Sequence, residues 1–284
     1  MSQQKRDENL DQGVIDSFGH EWAIFDYADN WSSEALNAQF SLYCSPIELS
    51  QFNPETSVAG DFGAGSGRWA SRLLPYFSCV YALEPSDGAS KVLRNKFKSE
   101  PRLKVLQETV GVNSIPDESL DLAMSLGVLH HIPDTGQAIK EIASKLKLGG
   151  TFLCYLYYRL DNKPILYRGL FWVSNSFRWV ISRLPYMARR FIANIIAGTI
   201  YLPLSRVAKK MESKGKEIKN IPLHHYANMP FVILRNDALD RFGTRLEQRF
   251  SKEEISGMLE TAGFDMKTLK FSNLEPFWTF AIKR

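Results

Sequence analysis

The sequence predicts an α/β protein with an open, mostly parallel seven-stranded sheet and a helical insertion after the fifth strand. Three observations carry that prediction. Short apolar runs alternate five times with amphipathic segments between Thr56 and Tyr158, the pattern of parallel strands covered by helices on both faces. Gly63, Gly65 and Gly67 follow directly on the first of these runs, at the strand end where an open parallel sheet presents its ligand-binding edge. Residues 159–249 then separate the fifth run from a final helix, far more chain than a simple crossover requires.

Taken in order, residues 1–50 open with the polar MSQQKRDENLDQ and continue into an aromatic segment, Phe18 to Tyr27, which needs cover and is expected either as a lid or as a helix packed on the sheet. Residues 51–158 form the α/β core. Thr56–Phe62 reads as its first strand, entered after the breaker Asn53-Pro54, and a helix is expected from Ser66 to about Tyr76. Ser78–Leu83 is a second strand stopped by Pro85, and Ala89–Phe97 has helical spacing with Val92, Leu93 and Phe97 on one face. Lys104–Leu106 and Leu120–Leu126 are strands, Thr135–Leu146 an amphipathic helix, and Thr151–Tyr158 a strand after a Gly149-Gly150 turn. After the insertion, residues 250–284 return to the core. Ser251 and Glu254 form an S-x-x-E capping box for a helix ending at Gly263, followed by strands Met266–Phe271 and Phe277–Ile282.

Composition narrows the class. A 44% hydrophobic content excludes intrinsic disorder. Cys44, Cys79 and Cys154 lie far apart without metal-ligand spacing, so neither a disulfide framework nor a structural zinc site is expected, and no metal is expected. That cysteine usage and the polar N-terminus point to a cytoplasmic protein without a secretory signal. No uninterrupted apolar run approaches the roughly 18 residues of a spanning helix. The net charge of +4 is unevenly placed: between Arg159 and Asn220 thirteen Lys and Arg stand against three Asp and Glu, leaving the remainder at −6. The same insertion interleaves Leu170, Phe171, Trp172, Phe177, Trp179 and Val180 with arginines, which suits a substrate cap, a subunit contact, or peripheral contact with a membrane.

The glycine turn carries the chemistry. Alternate glycines reach positive φ without penalty and let a ligand approach the main chain beside a helix N-terminus. Glu84 lies 21 residues after Gly63 at the end of the second strand, where a carboxylate accepts from both hydroxyls of a ribose. The sixth position of the turn is Arg68, whereas the dinucleotide pattern needs a small residue there, so NAD is disfavoured. A phosphate-binding loop is excluded by the lack of Gly-Lys-Ser/Thr. Asp61, two residues before Gly63, would repel a pyrophosphate and suits a cationic amino group.

These residues resemble the class I S-adenosylmethionine-dependent methyltransferases, whose first motif is an acid, any residue, then G-x-G-x-G, here Asp61 through Gly67. The stretch Ser125 to Asp134 is similar to the segment after the fourth strand in small-molecule members, and the insertion resembles that of bacterial, partly glycan-modifying ones. The resemblance implies a Rossmann-like fold and S-adenosylmethionine as cofactor. Gly63 and Gly65 would approach its methionine part, Glu84 its ribose, and Leu126 would offer a main-chain carbonyl to its amino group, with Asp61, Ala64 and Gly67 completing the cofactor-binding turn. Many relatives carry an acid for the adenine; alignment puts Gly111 there, so main chain and Val112 are expected to hold the base.

Methyl transfer to a hydroxyl also needs a proton acceptor, and a neutral imidazole suits that role. The candidates are His130 and His131 after the fourth strand, then His224 and His225 in the insertion, with Tyr226 and Asp240 as positioning groups. The expected acceptor is a small polar metabolite or a sugar hydroxyl, lipid-linked acceptors included, with no nucleic acid as partner. The expected location is the cytoplasm, including the inner face of the membrane. The competing functions are S-adenosylmethionine binding without transfer and RNA modification. RNA is discouraged by the mild charge and the lack of a recognised RNA-binding module.

Overall fold

A computed structural model describes residues 9–24, 32–160, 165–218, 221–272 and 279–284. The chain divides into two compact units, Met1–Asp161 with Leu246–Arg284, and Asn162–Arg245.

The first unit is built on one sheet. Its strands are β1 (Val58–Phe62), β2 (Cys79–Leu83), β3 (Leu103–Leu106), β4 (Leu120–Leu126), β5 (Leu146–Tyr155), β6 (Asp265–Phe271) and β7 (Thr279–Lys283), in the spatial order β3-β2-β1-β4-β5-β7-β6. The first five are parallel, and β7 runs antiparallel to both β5 and β6. The order reverses on either side of β1, so a crevice opens at the carboxyl ends of β1 and β4, the switch point at which such sheets bind ligands.

Both faces of the sheet are covered. On one, Phe62, Leu120, Ile139, Ile142, Phe152, Phe264 and Phe280 form a core, and on the other Leu73, Phe77, Val80, Leu93, Leu122 and Met124. The helices of this unit are α1 (Gln12–Ile24), α2 (Ser33–Tyr43), α3 (Ala70–Leu73), α4 (Asp87–Lys96), α5 (Thr135–Lys145) and, after the insertion, α10 (Lys252–Thr261). Asp134 caps α5 by accepting from the Gln137 N–H at 2.9 Å. The Ser251–Glu254 capping box is formed in both directions, at 3.2 and 2.8 Å, and Gly263 ends the segment at a φ of +86°.

Two local expectations change. The helix expected from Ser66 is confined to Ala70–Leu73, because Gly63, Gly65 and Gly67 have φ values of +87°, +57° and +82° and the chain is still turning at Gly67. Gly149-Gly150 does not precede β5 but lies inside it. Leu120 pairs with Leu146 and Leu122 with Thr151, so the extra residues of β5 bulge out, with Gly149 at a φ of +78°. The shift also changes the phase of β4, placing Leu120 and Leu122 in the cores of opposite faces. Lys147 on the bulge pairs with Asp121 at 2.8 Å, and Asp121 also accepts from the Val58 N–H at 2.8 Å. Phe277, expected to start the last strand, lies outside the described residues.

The second unit is helical: α6 (Ile165–Ile181), α7 (Tyr186–Ile196), α8 (Leu202–Glu212) and α9 (Phe231–Gly243), with one π turn, Ala197–Tyr201, joining α7 to α8. Both α6 and α7 pack on α9. Its C-terminal carbonyls accept from arginines of each, Thr244 O from Arg178 at 3.0 Å and Gly243 O from Arg189 at 2.7 Å, which suits the negative end of its dipole.

The capping box makes a test of local stability. Ser251→Ala removes the bond to the Glu254 N–H, and we expect about 1 kcal/mol lower stability in urea unfolding, with unchanged m, while the far-UV spectrum remains that of the wild type.

Candidate functional site

The glycine turn is fastened to the end of β2. The N–H groups of Gly63 and Ala64 both donate to Leu83 O, at 2.9 and 2.8 Å. Gly63 and Gly67 are needed for packing as well as for φ. A Cβ on Gly63 would lie 2.5 Å from Val128, and one on Gly67 2.3 Å from Leu93. Gly65 faces elsewhere, since its absent Cβ would lie 3.3 Å from the indole of Trp22.

Glu84 closes the crevice at the next strand. Its Oε2 accepts from the Gly65 N–H at 3.0 Å, and its Oε1 accepts from the Ser86 N–H at 3.0 Å and the Ser86 hydroxyl at 2.6 Å. Burial pushes its pKa up, and these three bonds pull the other way. Asp61 is buried more completely. Its Oδ2 has no hydrogen-bond partner among the described residues. Burial raises its pKa from the ordinary 3.8 to about 7, opposed by the Ala70 N–H and the Arg68 charge and assisted by Glu84. A buried carboxylate oxygen with an open acceptor position, two residues before a glycine turn, is what a cationic ligand group requires.

The other expected contacts are placed unevenly. Leu126, half-buried, ends β4 opposite Tyr155 at the same edge. Val112 has its main chain engaged within its own loop: its carbonyl accepts from the Thr109 N–H at 3.2 Å, and its N–H donates to the Thr109 hydroxyl at 3.1 Å. Only its half-buried side chain is left to touch a base.

The two histidines after β4 occupy a short 3-10 turn, Leu129–His131, and their partners set different tautomers. His131 Nδ1 lies 2.6 Å from Leu246 O, and a carbonyl only accepts, so Nδ1 carries the proton and Nε2 the lone pair. His130 is the reverse. Its Nδ1 accepts from the Tyr157 N–H at 3.4 Å, so the neutral ring has its proton on Nε2, a buried donor without a partner among the described residues. Burial, then the neighbouring His131 and Arg249, hold its pKa well below the usual histidine range. The His130 ring stacks on Tyr157 at 3.7 Å.

His224 and His225 belong to the other unit. His224 Nδ1 lies 3.0 Å from Ile221 O, while burial, with His224 beside it, lowers the pKa of His225 to about 4. Tyr226 packs on Tyr201 at 5.5 Å, and Asp240 accepts from the Thr244 hydroxyl at 3.2 Å.

Other residues also meet at this edge, some from the Phe18–Tyr27 segment expected as a lid or a packed helix and some without a role assigned from the sequence. Helix α1 crosses it: Phe18 lies 5.0 Å from the His131 ring, Gly19 admits Ser86 so closely that a Cβ would meet it at 2.7 Å, and Trp22 faces Gly65. The Arg68 guanidinium lies 5.5 Å from the Trp22 ring and 4.2 Å from Trp69. Asn9 joins the Asp134 main chain in both directions, at 3.0 and 2.7 Å. Tyr155 and Tyr157 form an aromatic wall whose signal was available in their i, i+2 spacing. Gln248 and Arg249, which bond Ile132 O and Tyr158 O, had none. No three His, Cys, Asp or Glu among the described residues could hold a metal ion.

Comparison with known proteins agrees with this geometry. Residues 60–154 match the family model described as a methyltransferase domain. A Bacillus subtilis protein named as the uncharacterised methyltransferase YcgJ is 28% identical over 108 residues, 37% of this chain and 42% of that protein. The uncharacterised Geobacillus methyltransferase GWCH70_2477 is 30% identical over 95 residues, 33% of this chain and 44% of its own length. The chain therefore spans less than half the length of these curated relatives. Among solved structures, a chain of the complex between the Haloferax volcanii Trm112 methyltransferase activator and a methyltransferase aligns over 94% of this chain and 96% of its own, with a TM-score of 0.53 and 14% identity. Human N-acetylserotonin methyltransferase aligns over 88% of this chain and 52% of its own, with a TM-score of 0.50 and 15% identity. At such identities these structures establish the fold. Residues 60–154 thus match a methyltransferase domain, and the glycine turn and strand order agree with the fold of the class I S-adenosylmethionine-dependent methyltransferases.

The raised pKa of Asp61 has a consequence for stability. The folded state holds this proton more tightly than the unfolded chain, so the contribution of Asp61 to the stability of the ligand-free protein falls as pH rises from about 4 to about 7 and is not regained above that. Asp61→Asn removes this dependence. We expect the variant to be more stable than the wild type in urea unfolding at pH 8, by a margin that shrinks toward pH 4.

Proposed function

We propose that the protein transfers a methyl group from S-adenosylmethionine to a hydroxyl of a small polar metabolite or sugar, lipid-linked acceptors included, in the cytoplasm. The observation that carries the cofactor assignment is the open Oδ2 of buried Asp61 beside the Gly65 turn that Glu84 holds. In this reading Asp61 takes the cationic amino group of the methionine part and Glu84 the ribose hydroxyls. Gly63, Ala64, Gly65 and Gly67 let the ligand reach the main chain, Leu126 offers a carbonyl, and the Val112 side chain borders the adenine. The cytoplasmic location rests on three free thiols, two of them buried.

The cofactor supplies a methyl carbon on a sulfonium, already activated for displacement, so the work left to the protein is alignment, exclusion of water and removal of the acceptor proton. His131 is the base in this reading, since its neutral ring carries the lone pair on Nε2. His130 is a donor and positioning group, because its proton sits on Nε2. Helix α1 covers these groups and serves as the lid that keeps water from the reacting pair.

Calorimetry tests the cofactor site. Gly65→Val puts a β-branched residue at a φ of +57° against Trp22 and should abolish binding. Glu84→Ala should weaken it about tenfold or more, as expected for the loss of hydrogen bonds to a charged acceptor worth about 1.5–3 kcal/mol. Unchanged affinity in both variants would overturn the assignment.

Incubating a cell extract with the enzyme and methyl-labelled cofactor identifies the acceptor from the labelled product. Label in RNA, or none at all, would favour one of the competing functions. With the acceptor in hand, His131→Ala should lower kcat by about 10²–10⁴ with little change in cofactor affinity.

A further inference from the structure

In the Asn162–Arg245 unit apolar side chains face both ways: Ile233, Leu234, Leu239 and Phe242 of α9 are buried, yet large apolar groups are also exposed. On α6, the side turned into the unit carries hydrogen-bonding residues. Arg178 donates to Asn175 and to Thr244 O, and Ser174 accepts from Arg241 at 3.1 Å. The side turned outward carries Trp172, Phe177 and Trp179, exposed by 72%, 62% and 61%, together with Val173 and Val180. Arg168 and Arg183 lie on this same face, and the Arg183 guanidinium sits 4.0 Å from the Trp179 ring.

The helix from Tyr186 to Glu212 repeats the arrangement. Small or buried Ala193, Ala197, Ser205 and Ala208 line one side, while Met187 and Phe191, exposed by 72% and 66%, continue outward through Ile195, Ile200 and Val207. Beyond them come Arg206, Lys209, Lys210, Lys214 and Lys216.

We propose that these outward faces seat the unit on an anionic lipid bilayer, with the helices lying in the interface and the basic residues among the headgroups. The surface itself argues for this occupant. Tryptophan and arginine together suit the boundary between hydrocarbon and headgroup, and a large exposed apolar area on a soluble unit calls for cover. The balance of thirteen Lys and Arg to three Asp and Glu across Arg159–Asn220 selects an anionic surface. It also opposes a second copy of the chain, because a two-fold contact would bring like charges together.

Spanning is disfavoured by length as well as packing. The 27-residue helix Tyr186–Glu212 is long enough to cross a membrane, and its most apolar 18 residues have a mean hydropathy of 1.4. Its charge-free run, Phe191 to Ser205, is fifteen residues long and covers only about 22 Å of a hydrocarbon core of about 30 Å. Helix α7 and the π turn are also packed on α9. This inference rests on the insertion alone and holds whatever the methyl acceptor is.

Co-sedimentation of the full chain with vesicles tests the proposal. Binding is expected to phosphatidylcholine–phosphatidylglycerol vesicles, at least tenfold weaker binding to phosphatidylcholine alone, and loss of the difference at high salt. Trp172→Ser with Phe177→Ser should lower partitioning at least tenfold, and Lys209→Glu with Lys210→Glu should reduce the preference for the anionic vesicles. All four side chains are exposed, so circular dichroism and Tm should match the wild type. The proposal is overturned if the wild type ignores mixed vesicles, or if the folded aromatic variant binds them equally well. It is also overturned if sedimentation velocity shows a wild-type dimer that the aromatic variant dissolves, since that assigns the face to a second copy.

Discussion

The bond from the Gly65 N–H to Glu84 joins two loops that the sequence keeps 19 residues apart, and the carboxyl edge of the sheet is organised around it. Parallel β1 and β2 end side by side, and the turn after β1 is already pinned by Leu83 O. Glu84 then takes the next free N–H of that turn and, with its other oxygen, the start of α4 through Ser86. One buried carboxylate thus fixes the spacing between the turn and the β2 corner, the two features on which a nucleoside cofactor would depend. Because the group is already bonded and desolvated, little rearrangement is needed to receive a ligand.

The electrostatics of the crevice are deliberately incomplete. Both acids, Asp61 and Glu84, are buried, the Glu84 charge raises the cost of ionising Asp61, and the Arg68 guanidinium that opposes it also lies over two indole rings. Burial raises the pKa of Asp61 to about 7, and the Ala70 N–H and the Arg68 charge offset that only in part. A cation entering the crevice would complete the site, whereas a pyrophosphate would meet two negative groups. The same reasoning distinguishes His130 from His131. The two rings are 4.2 Å apart, but a backbone N–H faces one Nδ1 and a backbone carbonyl faces the other, which assigns opposite tautomers to neighbouring imidazoles.

The two units follow different physical rules. The sheet unit buries its apolar side chains on both faces, and its polar groups gather at one edge. The helical unit keeps its hydrogen-bonding arginines inward, on the end of α9, and turns tryptophans outward. It also buries Ile233, Leu234 and Leu239 inside, so the outward tryptophans are apolar surface beyond what its core uses, and that surplus is the basis of the bilayer proposal.

Sequence alone determined the elements whose signals are local. Alternating strands and helices, the Ser251 capping box, the glycine turn and the register of Glu84 with it were all legible, because period, caps and positive-φ glycines act within a few residues. The basic, aromatic character of the insertion was equally plain. Tertiary structure decided what depends on residues distant in the chain. It shortened the helix after the turn to Ala70–Leu73 and moved the Gly149-Gly150 turn inside β5 as a bulge, since the neighbouring strand sets that register. It placed Trp22 on Gly65 and Phe18 on His131, where composition had left a lid and a packed helix equally open. It also gave His130 and His131 different chemistry, although they are adjacent and identical in sequence, because a ring's tautomer is chosen by the backbone atom facing it, and here those atoms belong to Tyr157 and Leu246.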